Sequence, residues 1–189
     1  MNFDDIYAVK NGHIHIDGET TSEDFKAGEL QAEVSTKEIV KKTEGVIVNK
    51  IVKIDEFTLS FVGRIAYETL RKVYGIDTEG LKPGVYSYGN KSKGKKAALT
   101  FDALDMFETD TLRMAFPNTI INSGLKISIA NGEDEVAETE LEFSILPDEY
   151  DNHYYEGFKS KLSEEINDMW HTKFDSALVQ DLAGEVPNA

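Results

Sequence analysis

The chain has 189 residues, of which 40% are hydrophobic, enough to build the core of one sizeable domain or two small ones. Its formal net charge of −15 argues against a general nucleic-acid binder, because an acidic surface repels phosphate. The absence of cysteine excludes a disulfide framework, a thiolate metal cluster and a cysteine nucleophile. No apolar run approaches the roughly 18 to 20 residues of a membrane span, and the acidic N-terminus is unlike a secretory signal. We therefore expect a globular protein made in a cytoplasm, which either stays there or leaves by a route other than general secretion.

The first local pattern is the pair Asn11-Gly12 between two β-favouring runs, residues 6–10 and 13–16. Both residues tolerate the positive φ of a type I′ turn, so the pattern predicts a hairpin here. Residues 17–44 are polar, and we predict a long loop that contains one strand around residues 30–34. A loop of that length in a compact domain usually takes part in an interaction.

A region rich in β-branched residues follows at 46–54, and then a strand in which Phe57, Leu59 and Phe61 alternate with polar residues. The period changes between Arg64 and Tyr74, where apolar residues recur at helical spacing. We predict a short helix there, closed by Gly75 in the left-handed conformation.

Residues 75–96 contain five glycines and one proline and are predicted to form a second long loop. Its end carries the one basic cluster of the sequence, Lys91, Lys93, Lys95 and Lys96. Three interpretations remain open: a phosphate contact, a loop that docks on the acidic surface of a neighbouring copy, and a merely solvated loop. The net charge favours an inter-subunit contact over a phosphate contact.

Further strands are predicted at residues 99–103, at 112–116, where Pro117 would end the strand, and at 137–145. In the last of these, apolar residues alternate with Glu138, Glu140 and Glu142. A period of two places the three glutamates on a single face.

A tyrosine-rich connection at 150–155 leads to a predicted helix of about five turns, residues 162–178. The whole pattern predicts a mainly β fold, a β-sandwich or partly closed barrel with one short flanking helix and one longer C-terminal helix. We expect a β domain at residues 1–157, with the C-terminal helix and tail at 158–189 packed on the same domain.

Candidate chemistry is sparse. His13, His15 and Asp17 alternate on one strand face and could converge on a zinc ion, but the pattern is more typical of the solvent face of a hairpin. Because two or three ligands without a second cluster rarely suffice, we expect no metal site. The sequence has neither a Gly-x-Ser-x-Gly elbow nor a phosphate-binding glycine pattern. We therefore expect no catalytic residues, no cofactor and no enzymatic activity.

Three stretches carry a family resemblance: GVIVNKIVKIDEFTLSFVGRIAYETLRKVYGID at 45–77, then YGNKSKGKKAALTFDALDMFE, then AFPNTIINSGLKISIANGEDEVAETELEFSILPDE. Their order and character resemble the major tail proteins, or tail tube proteins, of long-tailed phages and prophages of Gram-positive bacteria. The resemblance covers about residues 6–157 and rests on the order of segments.

This resemblance implies a structural virion protein of a siphovirus tail. Such proteins have a β-sandwich or barrel core and assemble into stacked hexameric rings, and the phage DNA passes through the hollow tube without specific binding. Copies of the same chain and other tail proteins at the tube ends are the expected partners, with no membrane involved. The chain would be made in the host cytoplasm and reside in the virion tail.

Two sites follow as hypotheses. The glutamate face of Glu138, Glu140 and Glu142 would form a negative lumen wall along which DNA slides, and the basic cluster would join subunits. An alternative function is a carbohydrate- or protein-binding β-sandwich module of a virion or cell surface. Its support is a possible exposed aromatic group formed by Tyr150, Tyr154, Tyr155 and Trp170.

Overall fold

A computed structural model describes residues 6–126 and 138–181. The strands are β1 Ile6–Ile16, β2 Glu23–Thr43, β3 Val46–Arg64, β4 Lys96–Asp105, β5 Thr111–Ile121, β6 Thr139–Ile145 and β7 Tyr155–Phe158. The α-helices are α1 Tyr67–Tyr74 and α2 Glu164–Thr172, and short 3-10 turns at Lys159–Lys161 and Ser176–Val179 flank α2. None of the described helices is both long and apolar enough to cross a membrane.

Six strands close into an antiparallel barrel in the order β4-β1-β2-β3-β6-β5, and β4 pairs with β5 to complete the ring. Strand β7 adds to the first half of β5, while the end of β5 pairs with β6. The predicted mainly β class with flanking helices is confirmed. Of the two predicted arrangements, the barrel fits the described strands and the sandwich does not, because pairing between β4 and β5 joins these strands into one closed sheet.

The core fills the barrel with alternating residues of each strand. Phe61 is 1% exposed and lies at the centre of an aromatic group, with ring centroids 4.9 Å from Phe25, 5.6 Å from Phe101 and 5.8 Å from Phe143. Helix α1 adds Val73 to the same core. As predicted, Gly75 ends α1 in the left-handed conformation, with φ 64° and ψ 36°.

The hairpin predicted at Asn11-Gly12 is wrong, because β1 runs straight through both residues. Asn11 has the positive φ of 49°, but three steps of β1 from Lys10 to His13 face two steps of β4, which is a β-bulge. Gly12 is needed for space, since a Cβ atom there would lie 2.4 Å from the ring of Phe25. The Asn-Gly pair therefore bends a strand without reversing it.

The long loop predicted at 17–44 is also wrong over most of its length. Only residues 17–22 connect strands, and β2 then extends over 21 residues to Thr43. The turn between β2 and β3 is Glu44-Gly45, with φ values of 51° and 82°. Both residues thus adopt the left-handed region that a tight hairpin turn needs. The polar composition of this segment reflects exposure of a strand pair on both faces.

Pro117 does not end β5, which continues to Ile121. Between the pairs Leu99–Phe116 and Ala97–Thr119, three steps of β5 face two steps of β4. Proline lacks an N–H group, and a bulge is one of the few strand positions where none is needed.

The C-terminal helix predicted at residues 162–178 is shorter in the structure, where α2 ends after two and a half turns. Helix α2 begins after Ser163, whose Oγ accepts a hydrogen bond from the Ile166 N–H, and ends at Lys173 with φ −160°. Asp175 then caps a separate 3-10 turn. Trp170 and Phe174 still pack together on Ala115 of β5. The apolar spacing therefore indicates residues that share a buried face, although they do not belong to one continuous helix.

Candidate self-association surface

The β2–β3 hairpin leaves the barrel as a long arm, which we define as residues 34–56. Below it, Thr58–Gly63 of β3 pair with β6, whereas within the arm β2 and β3 pair only with each other among the described residues. Every residue of the arm is exposed. At about 3.3 Å per residue, ten residues of each strand reach roughly 30 Å from the barrel.

The arm carries apolar side chains on both of its faces. Ile51 and Val52 are adjacent, so they point to opposite faces, and they are 51% and 54% exposed. Nine of the seventeen exposed large hydrophobic residues of the described chain lie in the arm: Val34, Ile39, Val40, Val46, Ile47, Val48, Ile51, Val52 and Ile54. Exposed apolar surface concentrated in this way marks an interaction site. A strand that is apolar on both faces is typical of one buried on both sides.

The outer part of the arm, residues 37–53, has a charge opposite in sign to that of the chain, whereas the whole arm, which also contains Asp55 and Glu56, has a net charge of +1. Residues 37–53 contain five lysines and two glutamates, a net charge of +3, in a chain of −15. Two ion pairs link the strands of the arm, Lys37 with Asp55 at 4.0 Å and Lys50 with Glu38. The outer part of the arm is therefore both cationic and apolar on an acidic molecule, a combination that favours contact with acidic surfaces.

The predicted glutamate face lies on the outside of the barrel. As the alternation predicted, the three glutamates are exposed while Leu141 and Phe143 are buried; they are Glu138, Glu140 and Glu142. Ala137, the first residue of the predicted strand, lies outside the described residues. Their negative charge is partly balanced. Arg64 lies 3.6 Å from Glu138, Lys126 lies 2.9 Å from Glu140, and the side-chain amide of Asn122 donates to Glu142. Whether this face lines a lumen stays a prediction.

The basic cluster sits where the 75–96 loop meets the barrel. Lys91, Lys93, Lys95 and Lys96 are all exposed, and none lies within ion-pair distance of a described carboxylate. The backbone here is anchored, because the Lys95 N–H donates to the Val73 carbonyl at 3.2 Å. A Cβ atom on Gly75 would lie 2.1 Å from the Lys93 carbonyl oxygen. The structure thus fixes the backbone and leaves the four ammonium groups in solvent.

The residues weighed as a metal site do not converge. His15 Nε2 lies 3.1 Å from the Glu19 carbonyl oxygen, whereas the His13 ring stacks on His171 with centroids 4.7 Å apart. Asp17 is exposed beyond the end of β1. Residues 6–126 and 138–181 contain no group of three His, Asp or Glu side chains placed to hold a metal ion.

A buried polar cluster that the sequence analysis missed joins α2 to the barrel. Asp102 of β4 is 5% exposed, and its carboxylate lies 2.9 Å from His171 Nε2 and accepts a hydrogen bond from Asn11 at 2.8 Å. His171 Nδ1 is also engaged, 2.9 Å from the Thr100 hydroxyl. Arg113 lies 3.8 Å from Asp102 and donates to the Asn167 carbonyl of α2. These contacts attach the helix to the barrel wall.

Burial and hydrogen bonding shift the pKa values in this cluster. Burial by itself would raise the pKa of Asp102, but the hydrogen bonds from His171 and Asn11, together with the nearby Arg113 charge, lower it. Burial, and then the neighbouring His171, lower the pKa of His13. The folded protein therefore favours an ionised Asp102 and a neutral His13.

The cluster borders a cleft of about 910 Å³ lined by Ser22, His13, His171 and three lysines, among others. Ser22 is not arranged as an activated nucleophile. Its hydroxyl donates to the His171 backbone carbonyl at 2.7 Å, while His13 Nδ1 is 3.4 Å away. The two ring nitrogens of His171 face the Thr100 hydroxyl and the Asp102 carboxylate, and these contacts join α2 to β4.

The aromatic residues that would support a carbohydrate-binding module are buried or make contacts within the protein. Trp170 is 1% exposed and its ring lies 4.9 Å from that of Phe174. Tyr155 donates to Asp148 at 2.6 Å, and Tyr154 donates to Glu156 at 2.8 Å. Tyr150 is partly buried. These side chains do not form the exposed platform that sugar binding requires.

Comparison with known proteins adds one likeness of shape. No protein-family model matches the chain, and no curated protein matches it. A solved structure with which the chain aligns is the cryo-EM structure of the anti-feeding prophage cap, described as a tube terminating cap. The alignment covers 78% of this chain and 87% of that chain, with 7% identity and a TM-score of 0.46. At this identity and TM-score, the alignment shows a similarity of shape and supports no conclusion about the role of this chain.

Proposed function

We propose that this chain is a structural, self-associating subunit of a phage-tail-like tube, and that the arm is what joins one copy to another. The observation that carries the proposal is the exposed arm, residues 34–56, apolar on both faces and cationic at its end. An isolated two-stranded hairpin is only marginally stable in water. Its side chains gain burial only when another surface covers them, and the subunit then becomes part of an assembly.

In this proposal the subunits form stacked sixfold rings without catalytic activity, as the tail-protein resemblance implies. Contacts that run from one surface of a subunit to a different surface of the next close into rings or continue as filaments. In such an assembly the barrel is the rigid part of each subunit, and the arm extends from it to contact the next copy.

The experiment is to measure association of the purified full chain over a wide concentration range, by sedimentation velocity and by negative-stain electron microscopy. We expect concentration-dependent rings or tubes. The double substitution Ile51→Thr/Val52→Thr keeps β-branched residues but removes apolar surface, and it should abolish assembly. The matched control is Leu81→Thr/Met106→Thr, which changes two residues that are 41% and 65% exposed outside the arm.

A chain that stays monomeric at every concentration contradicts the proposal. The proposal is also contradicted if Ile51→Thr/Val52→Thr leaves assembly unchanged while Leu81→Thr/Met106→Thr abolishes it.

The lumen wall is a finer part of the proposal. If Glu138, Glu140 and Glu142 face the lumen, reversing their charge to lysine should leave tubes assembled but slow the passage of DNA, because a basic wall binds the duplex. Normal tubes with unchanged DNA delivery would show that this face points elsewhere.

A further inference from the structure

The barrel has an open seam on the side where β2 departs into the arm. Strands β1 and β2 pair only between Gly12–Ile14 and Glu23–Phe25. Further along they separate, because β1 stays with β4 while β2 follows β3. The separation leaves a groove of about 560 Å³, which we call the seam groove.

Both walls of the seam groove are strand edges without a described neighbour. On one side Ile6, Ala8 and Val9 pair with β4, so their other edge faces the groove. On the opposite side, residues 29–32 pair with β3 and likewise turn their free edge to the groove. Free N–H and C=O groups of this kind form a template for another strand.

The floor of the groove is apolar and its rim is acidic. Phe57, Ala103, Met114, Phe116 and Tyr154 line it, and the rings of Phe116 and Tyr154 lie 5.0 Å apart. Glu29 and Glu156 also line it. An occupant that fits this site is an extended, apolar, cationic segment with a free backbone edge that can pair with one of the two walls.

We propose that the seam groove receives the β3 half of the arm, residues 46–54, from a second copy of this chain. This inference rests on the proposed function and names the receiving site. The segment is extended, it carries Val46, Ile47, Val48, Ile51, Val52 and Ile54 on two faces, and it contains lysine and no carboxylate. Its free edge can pair with one wall of the groove, since its other edge pairs with β2 of its own copy. Its apolar side chains complement the floor, and its lysines complement the acidic rim.

The geometry makes the contact directional. Arm and groove are different surfaces, so each copy gives one arm and receives another, and the chain of contacts must close into a ring or continue as a filament. In the single copy, the cavity remains because no described segment pairs with either wall.

The test uses the absence of cysteine from the natural chain. One variant carries Ala32→Cys, an exposed residue on the groove wall; three others carry Val48→Cys, Ile51→Cys or Ile54→Cys in the arm. Each arm variant is mixed with the groove variant, oxidised mildly, and the linked peptides are identified by mass spectrometry. The matched control is Ala66→Cys, an exposed alanine next to α1.

We expect at least one arm position to form a disulfide with Ala32→Cys about tenfold faster than with Ala66→Cys, because docking raises the effective concentration of the two thiols. The three arm positions are needed because a disulfide forms only when the Cα atoms lie within roughly 7 Å.

The outcomes separate this inference from the proposed function. If the chain assembles through the arm but Ala32→Cys reacts no faster than Ala66→Cys at all three positions, the groove is not the receptor, while the proposed function stands. Absence of assembly contradicts both. If an added Phe3→Cys links to Ala32→Cys within one chain and suppresses the intermolecular product, the chain's own first residues occupy the groove and the inference is wrong.

Discussion

Strand β3 passes through two environments within its 19 residues. In the barrel half, Leu59 and Phe61 are 0% and 1% exposed; in the arm half, Ile51 and Val52 are about half exposed. The residue types are alike, and the strand partner β2 is the same throughout. What differs is the second neighbour, since only the barrel half pairs with β6 and covers a core. Strand formation therefore follows local preference, while burial depends on what lies across the face.

The largest expected contrast is in stability. Phe61→Ala should lower the free energy of unfolding by about 3 to 5 kcal/mol, because it leaves a cavity among Phe25, Phe101 and Phe143. Chemical denaturation of the monomer, followed by far-UV circular dichroism, measures the change. A loss under about 1 kcal/mol would mean that the barrel interior is not packed as a core.

Two glycines give the next contrast. Gly12→Ala should cost about 1 to 3 kcal/mol, because its Cβ would lie 2.4 Å from the Phe25 ring. Gly45→Ala has open space around its Cβ but a φ of 82°, and it should cost about 1 kcal/mol through backbone strain alone. Denaturation midpoints compare the two. Equal effects at Gly12 and at Gly45 would contradict the close contact between Gly12 and the Phe25 ring.

The attachment of α2 should depend on pH. The folded state lowers the pKa of His13 below its ordinary 6.5, so below that pH the unfolded chain binds more protons and stability falls as pH decreases. Asp102, with a pKa lowered from 3.8, adds a second loss at more acidic pH. Midpoints measured from pH 8 to pH 3 should show both steps.

His13→Gln should remove the first of these steps and keep the second. A first step of unchanged size in this variant would assign the loss to a different group.

The smallest expected effect on stability is in the arm. Ile51→Thr/Val52→Thr should change the unfolding free energy of the monomer by less than about 0.5 kcal/mol, as for exposed sites generally. The unfolding free energy is measured at a protein concentration too low for assembly. A small change in this free energy, together with loss of association, would show that the arm half of β3 serves association while the barrel half serves stability. A loss of several kcal/mol would show that the arm is buried within the monomer.

Several predictions from sequence held because they depend on neighbouring residues only. The ending of α1 at Gly75 needs one residue that tolerates a left-handed backbone. The alternation at Leu141 and Phe143 with exposed glutamates needs only the two-residue period of a strand. The β-branched content of residues 46–54 likewise predicted a strand without reference to its partners.

The errors arose where a distant residue decides the conformation. Asn11-Gly12 has the composition of a turn, but Phe25 from β2 and Asp102 from β4 hold it in a bulge. The pairing of His171 with Asp102 joins residues 69 positions apart, and no spacing rule connects them. The polar stretch at 35–43 has the composition of a loop, because a strand that is exposed on both faces need not show alternation.

By itself the sequence determined the β-rich class, the short helix α1, the solvent face of β6 and the acidic charge, because each follows from composition or from residues within one turn or strand. The closure of the barrel by β4 and β5, the arm beyond it and the seam groove beside it were decided by tertiary structure. The physical reason is that strand pairing is a choice among distant edges. Local preference makes an edge available, and only the packing of the whole chain decides which edges are covered.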